Sequence, residues 1–509
     1  MRNFVHILCA CLTILAADAH SQAKPARVPA DQWQQAERLA PAQPDEALSR
    51  FKRLLQGLAD STRVRSAAAV LRQAGALRQA EQLLLWAAGR MRTKAAFAPQ
   101  LADLYQTQLR YDDAVHQLAL AMENGANTAA ASLEAVAVQT GFEKTAALLQ
   151  RETLRRDESL RLRGDLWTRA GDLPRAWESY RDVGDVPLVG SLLTTLLQRD
   201  PPAEQAAGFI RSYLKRQPKD IGQWELRLAG YQLSLGENDD AQRLLEGLAG
   251  RGVFPAQYEL SRYWLEQRHS PAESRRVMEQ YARAWPGPLR VEGQFLTAAI
   301  LEASGRADSA LAVLSMLADT GIAAGIRQRA YFQMGEIEFA RQNFDRAAEL
   351  YDKVPNLGLS GDLVNDALAQ LLLLSENKTD KMGQLKAWAA GRAAEQRLDF
   401  KQASETYRSL ADSGGGLQGK AQVRLAQLAE QQRDFRDAAR QYQLVGQSSS
   451  DTLLAAEALY RAGKLRLQRL SDPAAARQLW EQGIIKYPDT SWADLMRGEL
   501  ERLQHGHQP

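Results

Sequence analysis

Beyond Asp45 the apolar residues recur at alternating steps of three and four, with Gly, Asn or Asp interrupting about every dozen positions. That rhythm predicts short amphipathic helices joined by tight turns. Ala, Leu, Glu, Gln and Arg dominate, and alternating runs of β-branched residues are absent, so no strand is predicted.

The helices come in copies. In Tyr331–Pro355, Gly335 is followed by Phe344, Ala347 and Tyr351. The same spacing gives Gly391, Phe400, Ala403 and Tyr407, then Ala426, Phe435, Ala438 and Tyr442, and Gly164, Ala176 and Tyr180. Weaker copies pair Ala68 with Ala80, Ala102 with Ala114, Ala229 with Ala241, and Ala298 with Ala310. Positions 68, 102, 134, 164, 194, 229, 262, 298, 335, 391, 426 and 463 form one series with steps of roughly 30 to 37, apart from a long interval between 335 and 391. Gly75, Gly141, Gly171, Gly236 and Gly305 fall at the joint inside a copy, and Pro218, Pro286 and Pro488 follow the second helix. Little bulk at the small positions lets paired helices approach. A single pair cannot bury its apolar face alone, so neighbours must stack.

On these residues the chain resembles the tetratricopeptide repeat family over most of 60–500, most clearly in 331–445, and its last third is similar to exported bacterial members. The resemblance implies an all-α fold, a right-handed superhelical solenoid of antiparallel helix pairs. Residues 46–355 form the N-terminal and central repeats. Residues 356–384 form an extra or degenerate unit around "LVNDALAQLLLLS", and 385–503 form the C-terminal repeats with a capping helix near Ser491–Leu503.

The N-terminus is of another kind. Arg2, the apolar run Phe4–Ala17 and Ala17-Asp18-Ala19 read as a secretory signal over 1–19, cleaved after Ala19. The localisation expected is periplasmic or otherwise extracytoplasmic, with no transmembrane span in the mature chain. A lipid-modified Cys11 is the alternative. Cys9 and Cys11 are the only cysteines, so stability cannot rest on disulfides in the mature chain. Residues 20–45 read as a flexible leader with one short helix around Gln32–Leu39, and 504–509 as a disordered tail. Acids nearly balance bases, 61 against 64, which provides no basic block for nucleic acid.

Candidate chemistry is thin. "GGGLQGKA" at 414–421 has the G-x-x-x-x-G-K spacing of a phosphate loop. It follows a predicted helix rather than a strand, however, and Ala421 stands where a hydroxyl should bind Mg²⁺. It reads as a helix stop and a loose link. Ser375–Lys378 matches S-x-x-K without the partner motifs. His116 and His269 are isolated, and no cofactor or metal site is expected.

Binding remains. In the tetratricopeptide family the first helix of each pair lines the concave surface. The resemblance therefore places Phe295, Phe332, Glu336, Phe339, Trp388, Arg392 and Glu395 there, with Glu302 beside them. The alternative for the aromatics is packing between adjacent repeats. The function expected is a non-catalytic extracytoplasmic scaffold of a bacterial cell-envelope complex, with a protein or peptide in the groove. Two alternatives are an accessory subunit of polysaccharide synthesis or export, and a cell-wall lytic enzyme on a helical superhelix.

Overall fold

The computed structural model describes residues 29–56, 60–91, 95–377 and 382–504. Residues 1–19, read as a signal with Cys11 as the alternative lipid site, lie outside them, as do Lys378 and residues 505–509. The described residues form 28 α-helices and no strand. The chain divides into two compact units at Asp200/Pro201.

The first unit holds α1 (Ala30–Leu39), α2 (Pro44–Leu54), α3 (Ser61–Gln73), α4 (Leu77–Ala88), α5 (Ala98–Thr107) and α6 (Tyr111–Glu123). It continues with α7 (Ala129–Thr140), α8 (Phe142–Gln150), α9 (Asp157–Ala170), α10 (Leu173–Arg181) and α11 (Val186–Leu197). Successive helices pack in hairpins, and each hairpin packs on the next. The short helix read within 20–45 belongs to this core. Ala36 and Ala40 are buried, and Trp33 meets Phe51 edge-on at 5.1 Å. Residues 30–39 are thus a packed repeat helix rather than leader, because Trp33 and Ala36 lie one turn apart on the face turned to α2.

The second unit begins with α12 (Ala203–Leu214). Its hairpins are α13 (Ile221–Leu235) with α14 (Asn238–Gly250), α15 (Phe254–Glu266) with α16 (Pro271–Tyr281), and α17 (Gly287–Ala303) with α18 (Ala307–Leu317). Next comes α19 (Ala324–Ala340) with α20 (Phe344–Asn356), then the additional helix α21 (Val364–Asn377). The last hairpins are α22 (Met382–Gln396) with α23 (Phe400–Asp412), α24 (Gln418–Gln431) with α25 (Phe435–Ser448), and α26 (Thr452–Gln468) with α27 (Pro473–Lys486). The final helix, α28 (Ser491–Gln504), packs on both α26 and α27. It buries Ala493 and Met496 and leaves Glu501 exposed.

The small positions work differently from a simple Gly-on-Ala contact. A Cβ built on Gly335 would lie 2.6 Å from the Tyr351 ring, and on Gly391 it would lie 2.5 Å from the Tyr407 ring. Gly164 and Tyr180 stand in the same relation. The missing side chain is replaced by a tyrosine ring from the second helix, packed against the first. At position 262 the series lands on an arginine, and the close approach falls to Ser261, whose hydroxyl is 2.9 Å from that of Ser274.

The joints are alike in φ. Gly75, Gly141, Gly171, Gly236 and Gly305 all have positive φ; Gly171 and Gly236 are left-handed turn residues, whereas Gly141 has a ψ of 140° and lies outside that region. Leu109, His269, Gln342, Leu398, Arg433 and Ser471 share the positive φ without being glycine. In the turns at Leu398, Arg433 and Ser471 the next residue is an aspartate, Asp399, Asp434 or Asp472, whose carboxylate accepts a backbone N–H of the following helix.

The tyrosine-for-Cβ exchange makes glycines separable. Gly335→Ala drives a methyl into the buried Tyr351 ring and should cost about 1–3 kcal/mol. Gly230→Ala meets nothing within 4 Å on an exposed face of α13 and should stabilise by about 0.5–1 kcal/mol. Urea unfolding of both variants checks the opposite signs.

Candidate functional site

The first helices of the second unit pack side by side as well as against their partners. α15 touches α17, α17 and α19 both touch α22, and α24 touches α26. Side chains on this shared face are set by the tyrosines beneath it. The Tyr351 hydroxyl, held over Gly335, donates to Glu336 Oε1 at 2.6 Å. The Tyr407 hydroxyl, held over Gly391, donates to Glu395 Oε1 at 2.5 Å. The Tyr442 hydroxyl reaches Glu430 at 2.6 Å, and Tyr180 in the first unit reaches Asp165 at 2.6 Å. Burial, reinforced by the adjoining carboxylate, pushes the Tyr351 and Tyr407 hydroxyls far above the ordinary tyrosine value. They remain neutral donors.

Two of these carboxylates, Glu336 and Glu395, then receive an arginine from a neighbouring first helix. Arg392 of α22 pairs with Glu336 of α19. Arg424 of α24 grips Glu395 of α22 with two nitrogens, Nε at 3.1 Å from Oε1 and Nη2 against Oε2. Arg392 Nη1 also lies 3.5 Å from Glu395 Oε2, and Gln396 Nε2 donates to the Glu336 carbonyl at 3.2 Å. The result is a continuous seam of Tyr, Glu and Arg across three helices. Burial opposes the charge on Arg392, but Glu336 and Glu395 outweigh it and hold the guanidinium ionised above its usual range.

The seam ends at Glu302, in the last turn of α17. Its Oε1 is buried without a hydrogen-bond partner. Burial raises its pKa to about 8; Arg392 acts against the rise and Glu336 adds to it.

The aromatic residues assigned to this face lie mostly beneath it. Phe295, Phe339 and Trp388 are 3%, 2% and 8% exposed, which leaves little ring surface for stacking a ligand. Phe339 packs on Phe344 at 5.4 Å and Trp388 on Tyr407 at 5.2 Å. Phe332 is half-buried and tilted on Tyr351 at 5.7 Å. Arg329 covers the Phe295 ring at 3.9 Å and pairs with Glu292 at 2.8 Å. The structure thus brings Glu336, Arg392 and Glu395 into one network with Phe332 at its edge, and sets the other three rings in the core. Sequence reasoning missed Arg424 and Arg329, and treated Tyr351 and Tyr407 as filling. The signal was present: each tyrosine follows its glycine by the same interval, and an acid lies within one turn after that glycine.

The repeated glycine–tyrosine lock and the stacked hairpins decide the architecture. It is a tetratricopeptide-like repeat array.

No protein-family model matches the sequence, and no curated protein matches it. Among solved structures, the array is similar to c5321, a protective antigen present in uropathogenic Escherichia coli strains and displaying an SLR fold. The identity is 18%, over 88% of this chain and 97% of that one, with a TM-score of 0.29. It is also similar to Naa15/Naa10 bound to HypK-THB, at 14% identity over 94% of this chain and 78% of that one, TM-score 0.29. The APC/C hetero-tetramer Cut9–Hcn1 matches at 13% identity over 92% and 95%, TM-score 0.27.

The other motifs resolve structurally. Gly414 and Gly415 have positive φ between the end of α23 and the start of α24, so "GGGLQGKA" is a helix stop and link with no strand before it. His116 pairs with Glu152 at 2.9 Å. Among the described residues no group of three or more His, Cys, Asp or Glu could hold a metal ion, and no helix is long and apolar enough to cross a membrane.

The raised pKa of Glu302 carries a sign. The folded array holds that proton up to about pH 8, whereas the unfolded chain releases it near pH 4.5. Folding stability from this group is therefore full below about pH 4.5 and lost as pH rises through 8. Glu302→Gln should match wild type at pH 5 and exceed it at pH 8.5 by on the order of 1–3 kcal/mol. Thermal unfolding at the two pH values reads the difference. Arg392→Met, which strands Glu336, should destabilise by about 3–5 kcal/mol.

Proposed function

We propose that the protein is a non-catalytic interaction scaffold of an extracytoplasmic cell-envelope complex. Its first-helix face in the second unit receives a protein or peptide partner. The observation that carries this reading is the seam itself. Arg392 and Arg424 are held rigidly by Glu336 and Glu395, yet keep about a quarter of their side chains exposed, 23% and 24%. Pre-ordered guanidinium groups lose little further entropy on binding, and their free N–H donors suit backbone carbonyls or carboxylates of an extended segment. Phe332 supplies an apolar edge to the same face. The extracytoplasmic setting is supported by the signal-like residues 1–19.

The polysaccharide reading asks for exposed rings on which sugars could stack. Phe295, Phe339 and Trp388 are too covered for that, so the geometry favours a polypeptide.

Affinity capture from envelope extracts tests the proposal, with wild type compared against Phe332→Ala and Arg424→Gln. Each variant should lose the same partner at least about tenfold, the loss expected of about 1.4 kcal/mol at an interface. Circular dichroism checks that the helices remain. An identical captured set from all three proteins would refute this site.

A further inference from the structure

In the second unit a seam of glutamate and arginine bridges adjacent first helices. At the start of the first unit the corresponding space is open. α1 and α3 are the first helices of two successive hairpins and lie side by side. Between them is a cleft of about 470 Å³, lined by Trp33, Gln34 and Glu37 from α1 and by Thr62, Arg63 and Ser66 from α3. An acid and an arginine stand here too, but neither crosses the gap. Glu37 Oε1 accepts the Trp33 indole N–H at 2.8 Å, within α1. Arg63 Nε lies 3.3 Å from Oδ2 of Asp60, the residue that caps α3. Both charges are answered inside their own helices, and Thr62 and Ser66 are too short to close the space that remains.

The lining decides what can enter. Trp33 is half-buried, packed edge-on against Phe51 at 5.1 Å and tied to Glu37, and it borders the cleft. It is an apolar plate that needs no reordering to bind. Around it Gln34, Thr62 and Ser66, all exposed, each carry a donor and an acceptor, while Glu37 accepts and Arg63 donates. Among the described residues an anion would find one guanidinium, already answered by Asp60, and a divalent cation would find one carboxylate. An aliphatic ligand would find only Ala30 besides the indole. A sugar ring meets every requirement. It has an apolar face for the indole and a rim of hydroxyl groups, each donor and acceptor at once. The volume falls within the range of about 300–1,000 Å³ usual for small-molecule sites. The covered rings of the second unit cannot offer such a plate; Trp33 can.

We propose that the cleft between α1 and α3 binds uncharged carbohydrate, with one sugar ring stacked on Trp33 and its hydroxyl groups hydrogen-bonded by Gln34, Glu37, Thr62, Arg63 and Ser66. This activity goes beyond the polypeptide site of the second unit. Its test touches none of Glu336, Arg392 and Arg424, so either reading can fail alone.

Cellotetraose and chitotetraose are titrated into the full chain by calorimetry, with a glycine–serine tetrapeptide as the polypeptide control. At least one of the sugars should bind with a dissociation constant of about 1 mM or tighter, and the tetrapeptide should not. Trp33→Leu keeps an apolar contact for Phe51 but removes the flat face, and should weaken sugar binding at least about tenfold. Ser66→Arg leaves every α1 residue in place and fills the cleft from an exposed position of α3, and should weaken it by as much or more. Circular dichroism checks that both variants keep their helices. Failure of both sugars to bind the wild-type chain overturns the proposal. So does undiminished sugar affinity in either folded variant, or a tetrapeptide that binds as tightly as the sugars and is lost in the same variants. If Trp33→Leu loses helix, Ser66→Arg decides alone.

Discussion

A tyrosine ring lying where a Cβ would otherwise be is the contact on which this array depends. At Gly335, Gly391 and Gly164 the helix backbone is bare, and Tyr351, Tyr407 and Tyr180 occupy the vacated space. The consequence goes beyond close packing. Because the ring is pinned, its hydroxyl is pinned too, at the surface of the first helix. There it fixes Glu336, Glu395 or Asp165. A fixed carboxylate can receive a guanidinium from the next first helix without the entropy cost of ordering both partners. One missing methyl thus propagates outward into the charge pattern of a whole face.

The same chain of contacts explains how buried charge is tolerated. Glu336 and Glu395 are 12% and 10% exposed as side chains, positions where an unpaired carboxylate would be costly. Each has a tyrosine hydroxyl and an arginine, so their charges are matched. Glu302 has neither hydroxyl nor direct arginine contact, and burial answers by holding its proton. The contrast lies in one packing fact. No tyrosine from α18 lies over α17; the bare backbone there is at Gly293, filled by Trp285 from the preceding segment. Trp285 turns its indole N–H to Gln257 instead, so nothing is left to orient Glu302.

The hairpin architecture was legible because it rests on absence of bulk at a fixed interval, which sequence displays directly. The joints at Gly75, Gly171, Gly236 and Gly305 were legible for the same reason. The remaining joints were not, because Leu398, Arg433 and His269 hold a left-handed conformation that their residue types disfavour. Only tertiary contact reveals why. Position 262 misled by one residue, since a serine pair, Ser261 with Ser274, can replace the small-residue contact by a hydrogen bond and so escapes a search for Gly and Ala. Register placed Glu336, Arg392 and Glu395 on one face, and the structure joins them there in one charged network. The aromatic members were harder: Phe295, Phe339 and Trp388 share that register, but whether a ring at such a position faces outward or inward depends on how closely the neighbouring first helix approaches. That distance is set by residues a repeat away.

This points to a difference between the two kinds of order in the second unit. The glycine–tyrosine lock acts within a hairpin and repeats with the sequence period, so losing one copy weakens one step of the stack. The seam acts between adjacent hairpins, and its energy depends on several groups at once, so its members should couple strongly on mutation. The contacts of Arg433 with Ser234 and of His269 with Phe400 act between hairpins that are not adjacent at all. Arg433 and Ser234, 199 residues apart, meet in this way, with no sequence motif to announce it.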